Sequence, residues 1–233
     1  MSGAPRVVDL EQASVRELNQ ALHALTPDSN ETFWRVCNPR GRHNLAVGLD
    51  AAVTVEIAGH AGYYCAGMNK QAKVIVHGNA GVGVAENMMS GLVHVRGDAS
   101  QSAGATARGG ILLIDGNAAA RCAISLKGAD IVVKGSVGHM SAFMAQAGTL
   151  VVLGDAGDGL GDSLYEAHLY VCGAVAGLGA DCIEKPLDDV HRTELQAKLT
   201  QAGLAGQVDP GSFRLYGSAR QLYHFDVDHA DAY

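Results

Sequence analysis

The sequence predicts an all-β protein, a single-stranded right-handed parallel β-helix of about seven 19-residue coils with helical caps at both ends. Glycine recurs every 19 residues, a short strand-like segment precedes each of these glycines, and no helical periodicity occurs inside the repeat. A fixed period of this kind is typical of a solenoid whose stacked coils share one continuous core. The glycines that mark the coils are Gly59, Gly78, Gly97, Gly116, Gly135, Gly154 and Gly173.

The four residues before each of these glycines form the predicted strand. Their first and third positions are aliphatic in every coil, as in Leu112 and Ile114. This alternation indicates a strand with one buried face. The second position varies from Glu56 through His94 to Tyr170, so we expect the opposite face of the strands to be at least partly exposed.

The residues after each glycine predict a corner of the coil. The next residue is usually short and polar, as in Asn79, Asp98 and Asn117, and the one after it is always Ala or Val. Glycine and short polar residues favour turns. We expect the Asn and Asp side chains to stack in register along this corner, as in other parallel β assemblies. A second column of small residues, from Ala72 to Ala167, predicts another corner before each strand.

The ends of the chain leave the period and are predicted to cap the solenoid, because an open end coil would present unpaired strand edges. We predict an N-terminal helical cap at residues 1–50, the β-helix at 51–182, and a C-terminal cap with one helix and an extended tail at 183–233.

Each cap contains one predicted helix. In the first, Ser14 and Glu17 have the spacing of a capping box, and Pro27 would end the helix that follows. In the second, apolar residues at helical spacing predict a helix over residues 188–202, with Gly203 placed to terminate it.

Charge and hydropathy exclude several classes of partner. The chain has 233 residues and a formal net charge of −7, and its 17 Lys and Arg residues are scattered, so nucleic acid is not an expected partner. The longest apolar runs are about four residues, far short of the ~20 that cross a bilayer. The N-terminus has no pattern of a secretory signal, and we expect a cytoplasmic location.

The cysteines predict neither a disulfide framework nor a cysteine-rich zinc site, since they are odd in number and form no C-x-x-C pair. Cys65 and Cys122 lie three repeats apart, too far along the stack for a disulfide. We expect both to be small buried hydrophobic residues. The five cysteines are Cys37, Cys65, Cys122, Cys172 and Cys182.

We predict no catalytic, cofactor-binding or metal site in this chain. His60, His77 and His94, with His139, fall at different positions of the repeat and form no column of ligands. The glycine-rich segments 78–83 and 157–161 resemble phosphate loops. The next strand follows too soon for the helix that such a loop requires.

Methionine and aromatic residues, both scarce in this chain, concentrate in the segments 63–69, 85–90 and 140–146. Soft, large side chains suit adaptable protein contacts, so we predict a patch that faces a partner. Packing in the core is the alternative interpretation. The candidate interface residues are Tyr63, Tyr64, Met68, Asn87, Met88, Met89, Met140, Phe143 and Met144.

The coils resemble the GXGXG domain that closes the large subunit of glutamate synthase and also occurs as a separate subunit of formylmethanofuran dehydrogenase. The segments that carry this resemblance over residues 50–182 are 59–62, 78–83, 97–100 and 154–159. The segments 63–69, 85–91, 138–144, 179–182 and 216–220 extend it to nearly the whole chain. With them the chain resembles the β-helix subunit of the N-methylglutamate synthase (methylamine-glutamate N-methyltransferase) family.

This resemblance implies a structural, non-catalytic subunit of an enzyme that makes N-methylglutamate from methylamine and glutamate and releases ammonia. The implied partners are a class II amidotransferase-like subunit and an FMN-binding glutamate synthase-like subunit with an iron–sulfur cluster. No cofactor is implied for this chain.

Three alternatives stay open. They are the equivalent subunit of another glutamate synthase-like complex, the GXGXG subunit of formylmethanofuran dehydrogenase, and a β-helix enzyme that acts alone. The long C-terminal cap ending in residues 226–233 favours the N-methylglutamate synthase family.

Overall fold

The computed structural model describes residues 4–26, 29 and 32–220. This part of the chain contains eleven strands, two α-helices and a 3₁₀ turn at Pro210–Ser212. The helices are α1 (Val15–His23) and α2 (Asp189–Gln201). The strands are β1 (Arg6–Asp9), β2 (Phe33–Cys37), β3 (Thr54–Ile57), β4 (Lys73–Val76), β5 (Leu92–Val95), β6 (Ile111–Ile114), β7 (Lys127–Val133), β8 (Ala147–Val152), β9 (His168–Val171), β10 (Cys182–Lys185) and β11 (Arg214–Ser218).

All eleven strands form one sheet in the order β1 to β9, then β11 and β10. From β3 to β9 the strands are parallel, and residues pair with the residue one repeat later, as Val74 does with Val93, apart from a register shift between Lys127 and Asp130 in β7. The predicted β-helix of about seven 19-residue coils is thereby confirmed. The sheet ends with β11 and β10, which run antiparallel and follow the last coil.

The solenoid begins earlier in the chain than the period predicts. β2 lies before residue 51, yet it pairs in parallel with β3, with Phe33 opposite Thr54. The shift between these strands is two residues longer than the repeat, so the spacing of glycines did not reveal this coil. β1 extends the same sheet by one more parallel strand.

The interior of the solenoid is formed by the first and third strand positions, as predicted. Leu112 and Ile114 of β6 are fully buried, and their counterparts in the other coils are buried in the same cluster. Column after column of aliphatic side chains therefore forms one continuous core, which supplies most of the stabilising free energy of such a fold.

The outer face of the strands is covered over β6–β9, so the expectation of an at least partly exposed face is wrong there. Val132, Val151 and Tyr170 are fully buried beneath Leu195 and Leu199 of α2. Two polar contacts fix the helix on the sheet. The Tyr170 hydroxyl donates to Oε2 of Glu194 at 2.6 Å, and Nζ of Lys198 lies 2.8 Å from Oδ2 of Asp130. The strand pattern alone did not show which apolar surface the distant helix would cover.

The corner glycines are required by close stacking more than by their backbone conformation. Of the seven, only Gly59 has a positive φ, of 145°. A β-carbon on Gly116 would lie 2.9 Å from both C and O of Gly97 in the preceding coil, closer than real β-carbons approach backbone. Our expectation that glycine serves mainly to permit the turn is therefore corrected for six of the corners.

The predicted stack of corner side chains is present, and its hydrogen bonds all run in the same direction along the solenoid. The Asp98 N–H donates to Oδ1 of Asn79 at 3.0 Å, and the Asn117 N–H donates to Oδ1 of Asp98 at 2.7 Å. The same bond recurs up to the Ala174 N–H, which donates to Oδ1 of Asp155 at 2.7 Å. Each corner side chain thus accepts a backbone hydrogen bond from the next coil.

Both predicted helices have the expected caps. The Glu17 N–H donates to Oγ of Ser14 at 3.2 Å, and the Ser14 N–H donates back to Oε2 of Glu17 at 2.7 Å. Gly203 follows α2 with φ of 74°. Pro27 and the tail 226–233 lie outside the described residues. Neither described helix is long and apolar enough to cross a membrane.

Replacing a corner glycine should destabilise the whole stack. In Gly116→Ala the new methyl group meets backbone that cannot move without separating two coils, so we expect a loss of about 2 kcal/mol or more in the free energy of unfolding. Urea denaturation measures it. Ala119→Ser is the control, since a sister coil carries Ser100 at this exposed position, and it should change stability by less than about 0.5 kcal/mol. Equal midpoints for both variants would contradict the close-stacking explanation.

Truncating the buried face of α2 should release the outer face of the last coils. Leu199→Ala removes a fully buried side chain and should cost about 2–5 kcal/mol. Val190 of the same helix is 76% exposed, and Val190→Ala should cost less than about 0.5 kcal/mol. Amide hydrogen exchange should rise over β7–β9 in the first variant alone. An unchanged exchange pattern there would show that α2 does not hold these strands.

Candidate functional site: the left-handed face

The part of each coil between the corner glycine and the next strand has a backbone conformation that the sequence did not reveal. Three alternate residues there, five, seven and nine positions after the corner glycine, have φ between about 50° and 75°. We call each of these a left-handed segment, and we call the outer surface of the segments together with the one or two residues on either side of each the left-handed face. The six segments that follow corner glycines are 64–68, 83–87, 102–106, 121–125, 140–144 and 159–163, and an equivalent one at 44–48 belongs to the coil of β2.

Alternate residues of a left-handed segment bond to opposite neighbours in the stack. The N–H groups of Tyr64 and Met68 donate to Val82 O and Glu86 O of the next coil, both at 2.8 Å, whereas the Ala66 N–H donates to Leu45 O of the preceding coil at 2.9 Å. The backbone polar groups are thus satisfied without a regular strand. Each segment ties its coil to both neighbours.

The middle residue of each left-handed segment points into the core and is always alanine or glycine. Ala66 and Ala142 are fully buried. A β-carbon on Gly104 would lie 2.3 Å from Cδ1 of Ile131, so the interior has no room for a larger side chain. This column of small residues, seven positions after each corner glycine, is the sequence signal that could have located the segments.

The structure places most of the predicted interface residues on the left-handed face. Tyr63, Met68, Met89 and Met144 are between 41% and 49% exposed. Tyr64, Asn87, Met140 and Phe143 are partly exposed.

Met88 is the exception and corrects the sequence-based interface. Its side chain is fully buried in the core, because it lies at a position that points inward in every coil, where Ala107 and Leu126 are also buried. Met89, one residue on, points to solvent.

The exposed apolar side chains form two separate clusters on the left-handed face. The first, which we call the N-terminal cluster, contains Tyr63, Met68, Val82 and Met89. It lies on adjacent coils, since the Tyr64 N–H bonds to Val82 O. The second, the C-terminal cluster, contains Met144 and Tyr165 at its exposed centre. Segment 140–144 lies three coils beyond segment 83–87, a distance of about 14 Å along the stack at the usual spacing of strands.

The surface between the clusters is polar and carries unpaired basic groups. Arg108, Arg121 and Lys127 are exposed, and among the described residues no acidic side chain forms an ion pair with any of them. Thr106 and Asn87 form an internal side-chain bond of 2.6 Å from Oγ1 to Oδ1. A local excess of positive charge in a chain of net charge −7 favours an acidic partner surface at this place.

The N-terminal cluster is organised by aromatic contacts. The rings of Tyr63 and Tyr64 lie 5.5 Å apart, and the Asn87 amide donates to the Tyr64 hydroxyl at 3.2 Å. Glu86 lies beside them, and partial burial raises the pKa of its carboxyl. A rigid aromatic group with polar tips is a common anchor in protein interfaces.

The histidines and cysteines discussed below take part in hydrogen bonds within the fold or pack in its core. The His60 Nδ1 accepts from the Asn79 N–H at 2.9 Å, and Nε2 of His94 lies 2.9 Å from Oδ2 of Asp115. Burial lowers the pKa of His94. Cys65 and Cys122 are fully buried, which raises the pKa of each thiol to about 12, and the expectation that they pack as small hydrophobic residues is confirmed. In the described part of the chain no group of three or more His, Cys, Asp or Glu side chains could hold a metal ion.

These features define a β-solenoid protein, with the outer face of its last coils covered by a helix and apolar side chains exposed on another side. The chain is 59% identical to Protein GlxC of Rhizobium meliloti (strain 1021) over 227 residues, which make up 97% of this chain and 99% of that protein. It belongs to the family of Protein GlxC. No protein-family model matches the chain.

Among solved structures, the fold is similar to a chain of the formyltransferase/hydrolase complex (FhcABCD) from Methylorubrum extorquens in complex with methylofuran. The TM-score is 0.52 at 24% identity, and the match covers 88% of this chain and 87% of that chain. At this identity the likeness supports the fold alone.

The exposed methionines of the left-handed face should contribute nothing to the stability of the isolated chain. Met144 has φ of 55°, which costs an L-residue ~1–2 kcal/mol, while glycine adds ~0.5–1 kcal/mol of lost chain entropy. Met144→Gly should therefore leave the free energy of unfolding unchanged or raise it by up to about 1 kcal/mol. Met144→Val, β-branched at a positive φ, should lower it by at least about 1 kcal/mol. A clear loss in the glycine variant would show that Met144 supports the fold.

Proposed function

We propose that this chain is a non-catalytic scaffold subunit of a glutamate synthase-like hetero-oligomer, and specifically of an N-methylglutamate synthase. It holds a class II amidotransferase-like subunit and an FMN-binding synthase subunit in a fixed relation. The complex as a whole converts methylamine and glutamate to N-methylglutamate and ammonia. FMN and the iron–sulfur cluster belong to the partner synthase subunit.

The observation that carries this proposal is the placement of Met68 and Met144. Both are large apolar side chains, both are almost half exposed, and both have a backbone conformation that glycine adopts more easily. The isolated fold gains little from them. Residues that break a local rule with no evident structural benefit are expected where a protein functions, and here the function is contact with another chain.

The two apolar clusters support two partners. They lie on the same side of a rigid solenoid, three coils apart, with the polar surface of two coils between them. A scaffold of stacked coils keeps this distance constant, since each coil is bonded to both neighbours along its length. The closed side of the solenoid, under α2, is not available for the same purpose because its apolar residues are already buried.

The composition of the chain supports placing the redox cofactors elsewhere. An iron–sulfur cluster needs several cysteine thiolates at one point. Here Cys65 and Cys122 stand in one column three coils apart, and burial favours their neutral form. The resemblance of the coils to the GXGXG domain of glutamate synthase supports the choice of complex, and the kinship with Protein GlxC over the whole length supports a free-standing subunit.

Substitutions in each cluster should weaken attachment of one partner and spare the other. In the native complex purified through a tag on this chain, Met68→Glu should reduce recovery of one subunit and Met144→Glu that of the other, each by at least about tenfold. Val190→Glu is the control, since Val190 is more exposed than either methionine but lies on α2. The copurified chains are identified by mass spectrometry, and methylamine-dependent formation of N-methylglutamate is assayed on each preparation.

The same experiment separates the alternatives. Copurified amidotransferase-like and flavin subunits without methylamine-dependent activity would indicate another glutamate synthase-like complex. Molybdenum or tungsten enzymes, or a formyltransferase, would indicate the formylmethanofuran type of assembly. Recovery of both partners from the Met68→Glu, Met144→Glu double variant at the level of the unaltered chain would refute the proposed docking face.

A further inference from the structure

A cleft of about 760 Å³ lies on the outer face of the sheet at the start of α2. It is lined by Ala167, which immediately precedes β9, and by Leu215 and Gly217 of β11. His168, Lys185 and His191 stand around it. The volume falls in the range of sites that bind small molecules. The cleft adjoins the C-terminal cluster of the left-handed face, since Tyr165 lines it as well, but binding in it does not depend on the function proposed above.

Gly217 leaves space in the cleft because it has no side chain, although the fold does not require glycine at this position. It lies inside β11 opposite Ile183 of β10, with a φ that any residue adopts. A β-carbon on it would meet only the Lys185 side chain, 3.4 Å from Cγ and 3.6 Å from Cε. Glycine inside a strand lowers stability and often marks a place where a ligand approaches the backbone. The corner glycines, by contrast, are enforced by backbone contact.

Lys185 supplies a positive charge to the cleft. It lies opposite Leu215 in the pairing of β10 with β11, and its aliphatic stem runs beside Gly217. No ion pair involves its ammonium group within the described residues. A half-buried cation without a counter-ion favours an anionic group close to it.

Each histidine of the wall has Nδ1 close to a carboxylate, in a hydrogen bond at His168 and without hydrogen-bond geometry at His191. Nδ1 of His168 lies 2.8 Å from Oε2 of Glu194, and Nδ1 of His191 lies 2.6 Å from Oδ1 of Asp188. Their rings are 5.2 Å apart in an edge-to-face arrangement. Since the carboxylates occupy the Nδ1 side, Nε2 of each ring is left for another partner.

The acidic groups of the wall do not offset Lys185. Asp188 caps α2 by accepting from the His191 N–H at 2.9 Å, and Glu194 accepts from the Tyr170 hydroxyl. Glu166 is exposed at the edge of the cleft. Arg220, also at the edge, is paired with Asp181. Among the described residues, Lys185 therefore forms no ion pair with any of these acidic groups, and Glu166 is likewise without an ion pair.

We propose that this cleft binds a small organic anion, with its apolar body over Gly217 and Leu215 and its negative group at Lys185. The imidazoles of His168 and His191 supply the second contact through Nε2. A side chain at position 217 would fill the space that the body of the ligand occupies. This explains why a strand interior retains glycine where alanine would fit.

Benzoate is a suitable probe, and benzamide is its neutral control of the same shape. The full chain is labelled with ¹⁵N-histidine, and the imidazole signals are assigned with His168→Gln and His191→Gln. Benzoate should shift the signals of His168 and His191 along one saturable curve and leave His60 and His139 unchanged. Benzamide should cause at most a weak shift, since the ammonium group of Lys185 distinguishes the two.

Three variants test the geometry. Gly217→Val should abolish the saturable shift. Lys185→Met, which keeps the aliphatic stem, should lower the affinity for benzoate at least about fivefold. Lys73→Met, at the exposed first residue of the otherwise buried β4, is the matched control and should not change the affinity. If Gly217→Val fails to fold by circular dichroism, Gly217→Ala takes its place, with an expected loss of at least about threefold.

Some results would overturn the proposal. They are a shift that grows linearly without saturation, equal shifts with benzamide, or unchanged affinity in folded Gly217→Ala and Lys185→Met. Because none of these readouts involves a partner subunit, a failure here leaves the scaffold proposal untouched, and failure of the scaffold proposal leaves this one untouched.

Discussion

The structure depends on the direct contact of backbone with backbone at the corners of successive coils. At Gly97 and Gly116 the main chains lie so close that not even a methyl group fits between them. This contact fixes the distance between coils and brings each corner acceptor, such as Asn79 Oδ1, to the N–H of the next coil. The parallel register of β3 to β9 and the reciprocal bonds of the left-handed segments require the same distance.

The period and the binary pattern were sufficient to predict the strands β3–β9, the corners and the two helices, because these elements depend on features local to each coil. Leu112 and Ile114 are buried for the reason that their alternation indicated. The left-handed segments could not be predicted in this way, since Tyr64, Ser102 and Arg121 share a positive φ but no residue type. Their conformation is imposed by the stack and not by their own preference.

The exposure of the candidate interface residues could be predicted only in part, for a related reason. The concentration of methionine indicated one side of the coil, but the choice between surface and core depends on the direction of each side chain. Met88 and Met89 are adjacent and point to opposite sides, and Met88 is buried because it lies in a column that points inward in every coil. The burial of Val132 and Tyr170 by α2 could not be predicted either, since the helix and the strands are distant in sequence.

One consequence of the position of α2 concerns the cooperativity of unfolding. Coils of a solenoid touch only their nearest neighbours, so such proteins can open from an end, one coil at a time. Here a single helix is fastened to β7 through Lys198 and Asp130 and to β9 through Glu194 and Tyr170, with an apolar surface that reaches Leu113 of β6. We therefore expect the last four coils to open as one unit. Within the described residues no helix covers the outer face of β3–β5 in this way, so these coils depend on contacts with their nearest neighbours.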